Sequence, residues 1–495
     1  MTAVEFHFDI SEDSILVEGN VLVFHTYPND LYTSWVFEFV SYLRKKSKKT
    51  RTVIVDLATS SWHREMTLSA TLKRFLLGTK LNSNLILEYL SQKLGISMIT
   101  EAKMKVISKE IFSICTKILS SKSASEWLEY EDLPLALRRS VHSSMSNKQG
   151  TLYYQPRFHL MGMLLRSMSY YSNFYSARDI INKLSPSYVV VCNSRLPNSA
   201  AIVEAAKDSQ TKVIFLERGG TPGLFNVFNH SPHALRARSQ ACENLWAVSS
   251  KIAPDETNLI SQTYIEFRRK IDPHSGKSWN MNSKLSSYVD EVKGKGYSRV
   301  CLFYTTTELE VAVYGDERAE SDFESQSDAL KALEEVLSDD WAIIVRRHPA
   351  KNRPMRKDPE RESWQGIISS RIFWIAPNSR EDSYELASKA NLVCHWDSSI
   401  GAEITYLQKV PVLTMGPNFW NGNEHHNVRN RLQLAEVISK HIGLTPIESA
   451  LRWGLYSAIA GKPFEQIVWK SGHGYLWNTK MHSAAMRKKL LKKKS

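Results

Sequence analysis

Apolar residues gather along this chain in short runs that end on a polar, small or basic residue, and the runs alternate with stretches of helical period. "NVLVFHTYP" at 20–28 predicts a strand, "DLYTSWVFEFVSYLRKK" after Asn29 a helix capped by that asparagine, and "TVIVDLA" at 52–58 a second strand. A strand, a helix and a strand, with both strands apolar throughout, make a βαβ unit, which belongs to a parallel sheet buried on both faces. Residues 65 to about 182 have mostly helical period and few motifs. The alternation resumes with "SYVVVCNSR" (187–195), a helix from about Ser199, and "KVIFLERGG" (212–220).

A second series starts near 298 with "RVCLFYTTTE". It continues through the helix "SQSDALKALEEVL" (325–337), "WAIIVRRHP", "RIFWIAP", the helix "EDSYELASKA" (381–390), "NLVCHWDSS" and "VPVLTMG". The expected fold class is α/β, with two Rossmann-like doubly wound domains facing across a cleft. The expected domains are 1–280, with the helical stretch of about 65–182 inserted, and 281–445, joined near 275–297. Residues 446–495 are expected to form closing helices and a basic tail. With 495 residues, 42% of them apolar, the chain exceeds the roughly 250 to 300 residues at which single cores stop growing.

The formal net charge of +13 favours an anionic partner. Basic residues concentrate in "RKKSKKTR" at 44–51 and in the terminal "MRKKLLKKKS", where Arg487, Lys488, Lys489, Lys492, Lys493 and Lys494 are expected to meet an anionic membrane surface, the alternative being a solvated tail. Two compact clusters differ from a stripe interleaved with aromatics, so a specific nucleic-acid partner is not expected; unspecific polyanion binding through 44–51 stays open. The five cysteines lie far apart, with no CxxC and no metal-ligand spacing, which predicts a reducing compartment and no structural zinc. The N-terminal segment lacks a basic region before an apolar one, and no run approaches the roughly 18 apolar residues of a spanning helix. The expected location is cytoplasmic, peripheral on the inner face of the cell membrane.

Three strand ends in the second series carry polar groups. Arg346, Arg347, His348 and Pro349 follow one; Pro377 to Tyr384, including Asp382 and Ser383, follow the next; Asp397, Ser398, Ser399 and Gly401 follow the third. Loops at the carboxyl ends of strands line the ligand crevice of α/β sheets. "WDSSIGAE" is a strand end, a hydroxyl turn, a glycine and a helix start, which suits a phosphate at the helix N-terminus. Ordinary N-capping by Ser398 or Ser399 is the alternative. Glu403, in the first turn, either caps that terminus or reaches a ligand hydroxyl.

"RRHP" at 346–349, "WDSSIGAE" at 396–403 and "KVPVLTMG" at 409–416 together resemble the donor-binding domain of GT-B glycosyltransferases. The resemblance is greatest to the capsule and surface-polysaccharide group, and the HP and SS pair is also similar to bacterial sialyltransferases and other enzymes using CMP-activated sugars. It implies that His348, Ser398 and Ser399 contact the nucleotide and its phosphate, with Arg346 and Pro349 beside them. In the first series "VVVCNSR" resembles that group's "NGR" strand end, with Ser194 in place of glycine, and "FLERGG" resembles its E-x-G turn, which implies a substrate surface of Asn193, Arg195, Arg218 and Gly219; His230 is expected to face the same crevice from the topology. The likeness spans roughly 185–420 and assigns the acceptor to the first domain and the nucleotide sugar to the second. It implies transfer from a CMP-sugar of Kdo or sialic-acid type to a glycan or glycolipid acceptor of capsule, lipopolysaccharide or O-antigen.

Glycosyl transfer deprotonates an acceptor hydroxyl, which needs a carboxylate. Glu217, ending a strand and followed by Gly219 and Gly220, is the candidate base, or the nucleophile if configuration is retained; Glu308 and Glu310 are the alternatives. A structural Glu217 paired with Arg218 or Arg195 is the competing reading. His230 and His233 are expected to begin a helix, and without an acidic pair beside them donor binding is expected to be metal-independent and cofactor-free. His425 and His426 are assigned to a loop near the nucleotide. The remaining alternatives are a polyol phosphate transferase or a nucleotide-sugar epimerase of the same architecture, and a polyanion-binding protein.

Overall fold

A computed structural model describes residues 19–26, 30–46, 50–57, 95–99, 108–149, 154–221, 223–271, 287–306, 321–348, 369–396, 398–419, 426–440, 443–465, 467–470 and 474–477, with the single residues 92, 364 and 367. Contacts group the chain into two units: residues 1–232 with 461–495, and residues 233–460.

In the first unit β1 (Asn20–His25), β2 (Arg51–Asp56), β3 (Ser97–Ile99), β4 (Tyr188–Cys192), β5 (Lys212–Arg218) and β6 (Leu224–Phe228) lie in the order β6-β5-β4-β1-β2-β3. β1 to β5 are parallel and β6 is antiparallel to β5. Because side chains alternate across a strand, the apolar run of β1 serves two cores. Val21 and Val23 pack with Trp35, Val36 and Phe39 of the helix Asp30–Lys46. Leu22 and Phe24 pack with Ala177 and Ile181 of the helix Leu160–Leu184, and with Ile202 and Ala205 of the helix Pro197–Asp208. Helices Ser108–Ser120, Ala124–Glu129 and Leu135–Gln149 join Leu160–Leu184 around Trp127, Met145 and Tyr170, so helicity is observed over the described part of 65–182 from residue 108 onward, while β3 was not foreseen.

In the second unit β7 (Arg299–Tyr304), β8 (Trp341–Arg346), β9 (Ile372–Ile375), β10 (Leu392–His395) and β11 (Val412–Thr414) form an all-parallel sheet in the order β11-β10-β7-β8-β9. Cys301 and Phe303 pack with Leu330 and Leu333 of the helix Gln326–Val336, whereas Val300 and Leu302 pack with Val289, Leu386 and Ile404 on the other face. Each sheet therefore carries helices on both faces. Written from the first strand of each parallel set, both orders are 3-2-1-4-5, the doubly wound arrangement, and both reverse between their first and fourth strands.

Three features depart from the sequence reading. Residues 446–480 were expected to be closing helices; the helix Ile447–Ile459 is there, but β12 (Lys462–Pro463) then pairs with β6, and β13 (Ile467–Lys470) pairs antiparallel with β14 (Gly474–Trp477). The alternating "KPFEQIVWK" and "GYLW" segments suit a pleat rather than a helix. His230 and His233 precede a helix that starts only at Leu235, because Ser231 and Pro232 occupy the turn between them. The helices Leu235–Ile252 and Pro254–Lys270 group with residues 233–460, where the sequence boundary near 280 had put them in the first domain. Their apolar faces explain this: Tyr264 and Ile265 pack with Ala450, Leu451 and Trp453, and a side-chain carbon on Gly454 would stand 2.8 Å from the Ser261 carbonyl oxygen.

Candidate functional site

In the second unit the strand order reverses between β7 and β10, where a doubly wound sheet opens its ligand crevice. β7 runs out into Thr305 and Thr306, and Gln326 holds the latter from both sides: its Oε1 accepts the Thr306 N–H at 2.8 Å and its Nε2 donates to the Thr306 carbonyl at 3.2 Å. The loop after β8 bends toward the same point, since the His348 N–H donates to Thr305 Oγ1 at 3.0 Å. β10 ends on His395, and the helix Ile400–Leu407 follows the serine turn. His348 and the serines thus leave strands on either side of β7.

Ser399 is the residue before that helix, yet its side chain makes no capping bond. The Gly401 N–H donates to the Ser398 carbonyl at 3.1 Å and the Glu403 N–H to the Ser399 carbonyl at 3.2 Å, while the amides of Ser399 and Ile400 have no backbone acceptor among the described residues. Amides without a backbone acceptor at a helix start, beside the Ser398 hydroxyl, suit an anion, while the Ser399 hydroxyl is hydrogen-bonded to Glu403.

Other residues expected here are occupied. Arg346 is 6% exposed and spends its guanidinium on carbonyls, Nη1 on Ala376 at 2.7 Å and Nη2 on Ser379 at 3.1 Å, so it braces the loop after β9. Burial lowers its pKa from the usual arginine value. Asp382 caps the helix Ser383–Lys389, its Oδ1 accepting from the Tyr384 and Glu385 amides at 2.8 and 2.9 Å, and the Ser383 carbonyl accepts the Tyr304 hydroxyl. Glu403 is buried and accepts a hydrogen bond from the Tyr384 hydroxyl, with Arg268 Nε 3.9 Å away. Burial raises its pKa, against Arg268, Tyr384 and Ser399. Tyr384 is raised as well, by burial first and then by Glu403, and Arg269 stacks on its ring at 4.9 Å. Glu308, Glu310, Pro349, Asp397, His425 and residues 486–495 lie outside the described residues.

In the first unit the reversal falls between β1 and β4. Asn193, just past β4, has φ +54°, a left-handed conformation that asparagine tolerates better than most residues. Its Oδ1 accepts the Arg195 N–H at 2.8 Å and its Nδ2 donates to Glu217 Oε2 at 3.0 Å. The other oxygen, Oε1, accepts the Arg218 N–H at 3.1 Å, so two N–H donors orient the carboxylate. The contact between Glu217 and Arg218 is through the main chain. Gly219 closes the β5–β6 hairpin: its N–H donates to the Leu224 carbonyl at 2.9 Å, and an added side-chain carbon would come within 2.4 Å of Leu224 Cβ. Ser194 and Ser231 hydroxyls meet at 3.2 Å, and His230 Nδ1 sits 2.8 Å from the Ser231 carbonyl oxygen, so that nitrogen carries the proton. These residues come from the ends of β4, β5 and β6 and form one polar cluster.

Two features were not foreseen. His25 and Asp56 close β1 and β2 as direct register partners, and both are buried. His25 Nδ1 lies 3.0 Å from Asp56 Oδ1, and Nε2 lies 3.0 Å from Thr33 Oγ1 of the helix Asp30–Lys46. The available signal was a polar residue at the same place in two strands of one βαβ unit. The second is His395, at which β10 ends. Among the described residues no group of three or more metal-ligating side chains comes together, and no helix is long and apolar enough to cross a membrane.

No protein-family model matches the chain, and neither does any curated protein. Solved structures with similarity include the beta Kdo 2,4 transferase KpsC of Thermosulfurimonas dismutans, at 15% identity and TM-score 0.34 over 55% of this chain and 79% of that one. A Methanocaldococcus jannaschii UDP-GlcNAc 2-epimerase in complex with UDP-GlcNAc and UDP aligns at 10% identity and TM-score 0.26 over 88% and 98%. The spinosyn rhamnosyltransferase SpnG, complexed with spinosyn aglycone, aligns at 10% identity and TM-score 0.26 over 89% and 96%. At these scores the doubly wound α/β fold of each unit rests on its own strand order.

Proposed function

We propose that the chain is a metal-independent GT-B glycosyltransferase that takes a sugar from a nucleotide-activated donor to a surface glycan. The observation that carries this reading is the serine turn of the second unit: a helix begins at the reversal of strand order on two serines, with the Ser399 and Ile400 amides lacking a backbone acceptor among the described residues. A nucleotide phosphate suits that position, and the half-buried His348 joins it through the loop held on Thr305. The choice of a CMP-sugar of Kdo or sialic-acid type rests on the HP and SS motifs.

In this reading Glu217 takes the proton of the acceptor hydroxyl as its oxygen bonds to the anomeric carbon. The bond from that carbon to the donor phosphate breaks, and the leaving nucleotide's negative charge is met by the serine turn's amides, the Ser398 hydroxyl and His348. Asn193 and the Arg218 amide keep Glu217 oriented. Glu308 and Glu310 stand as the alternative carboxylates. The basic terminal segment, Arg487 to Lys494, would hold the protein near a membrane-borne acceptor.

Nucleotide panels test the reading. CMP or CDP at about 100 times its dissociation constant is expected to stabilise the fold by about 2.7 kcal/mol, with UDP and GDP weaker. Incubation with CMP-Kdo or CMP-sialic acid and a glycan acceptor should release CMP and extend the glycan. Isomerisation of a nucleotide sugar without acceptor would establish the epimerase instead. Absence of response to every nucleotide would overturn the site itself.

A further inference from the structure

His395 has no exposure and reaches three separate elements. Its Nδ1 is 3.3 Å from the Ser398 amide nitrogen, which can only donate, so Nδ1 presents its lone pair and the ring proton lies on Nε2. Nε2 is 2.9 Å from Thr414 Oγ1 on β11. The helix Ile400–Leu407 packs on the same ring: a side-chain carbon on Gly401 would stand 2.2 Å from Nε2 and 2.4 Å from Cδ2, so only glycine lets the first turn approach. The main chain of His395 is pinned too, its carbonyl accepting the Met415 N–H at 2.9 Å. Burial holds the imidazole down to about 3, against a hydrogen bond with the Trp396 backbone, so the ring is neutral and keeps its accepting nitrogen.

We propose that His395 is the positioning residue of the serine turn: by accepting the Ser398 N–H while braced on Thr414 and covered by Gly401, it fixes the direction in which the turn offers its remaining amides and the Ser398 hydroxyl to the donor phosphate. The inference rests on the phosphate-binding reading of that turn. An unbraced turn would have to order itself on each binding event, and phosphate affinity would fall by that ordering cost. The nucleoside part of the ligand, which does not depend on the turn, would bind as before.

The test measures CMP and cytidine dissociation constants by calorimetry, and reads their ratio. In His395→Asn the amide oxygen sits near the position of Nδ1 and retains the acceptor, so the ratio is expected to stay within about threefold of wild type. In His395→Leu, which lacks the acceptor, the preference for CMP over cytidine should fall at least about tenfold, with cytidine affinity kept. Gly401→Ala leaves the imidazole intact but pushes on it, and should also reduce the ratio; it serves if the leucine variant does not fold. A ratio that is unchanged in both His395→Leu and Gly401→Ala, or equal losses for CMP and cytidine, would overturn the positioning role while leaving the phosphate site standing. Failure of the wild-type protein to bind CMP any better than cytidine would remove the phosphate site, and this inference with it.

Discussion

Where β1 meets β4 in one unit, the strand ends carry His25, Thr26 and Asn193 and, one strand further, Glu217; where β7 meets β10 in the other, they carry Thr305, Thr306, Ser398 and Ser399. The strand order is the same, and the chemistry is opposite. One reversal presents an oriented carboxylate, the other amides and the Ser398 hydroxyl, with Glu403 buried and hydrogen-bonded to Ser399 and Tyr384. Strand order fixes where a crevice opens, and the few residues past each strand decide what it binds. Each reversal is also supported from behind by a buried histidine: both meet a threonine hydroxyl, but the second partner of His25 is a carboxylate and that of His395 an amide.

The sharpest way to break the comparison is to remove the carboxylate behind His25. Asp56→Ala leaves a buried imidazole nitrogen without its partner and should cost about 3 kcal/mol of stability in chemical unfolding. An effect below about 1 kcal/mol would make the pair incidental. Glu217→Gln keeps the side chain's shape and removes its basicity. Turnover should fall at least about a hundredfold with CMP affinity within about twofold, and near-normal turnover would shift the role to Glu308 or Glu310. Ser398→Ala and His348→Ala address the other reversal: each should weaken CMP binding about tenfold with an unchanged far-UV spectrum. Loss of the spectrum instead would mark them as structural.

The smallest effect is a pH dependence shared by the two units. His395 is held down to about 3 and His142, in the first unit, to about 4, both by burial. A lowered histidine stays neutral in the fold while the unfolded chain takes up a proton below about 6.5. The stability each contributes is therefore complete above that pH and is lost as pH falls toward the folded value. Lowering the pH from 8 to 6 should cost about 0.8 kcal/mol for each of the two. His142→Phe should remove its share, measured as a shallower fall of the unfolding midpoint; an equally steep fall would show that His142 is not the group responsible.

The legible part of the fold was what hydrophobic period controls. Strands β1, β2, β4, β5 and β7 to β11 appear as continuous apolar runs closed by polar residues, because both faces of each are buried. β3 and β12, at 3 and 2 residues, give no apolar run that reads as a strand, and the sequence reading places Leu235–Lys270 with the first domain because its partners, Ala450 to Trp453, lie far ahead in sequence. In the candidate site, Ser398, Ser399, His348 and Glu217 were visible as polar residues at strand ends. Whether such a residue is open or occupied was not: Arg346 and Asp382 carry the same signal, yet a tertiary contact turns Arg346 onto the Ala376 carbonyl and Asp382 caps the helix that follows it.

The return of the chain at β12 has a consequence for biosynthesis. Lys462 and Pro463 pair with Phe225 and Leu224 of β6, the Phe464 N–H donates to the Gly223 carbonyl at 2.8 Å, and the rings of Phe464 and Phe225 stack at 5.6 Å. A strand placed more than two hundred residues earlier thus waits for its neighbour until Lys462 and Pro463 have been made. At about 5 to 20 residues per second, translation of the intervening stretch leaves β6 without that neighbour for roughly ten seconds or more. The nascent chain is an open sheet edge during that interval, when pairing with another nascent chain competes with completion of the sheet. Pro463, which has no N–H to donate, then helps make the finished edge a poor template.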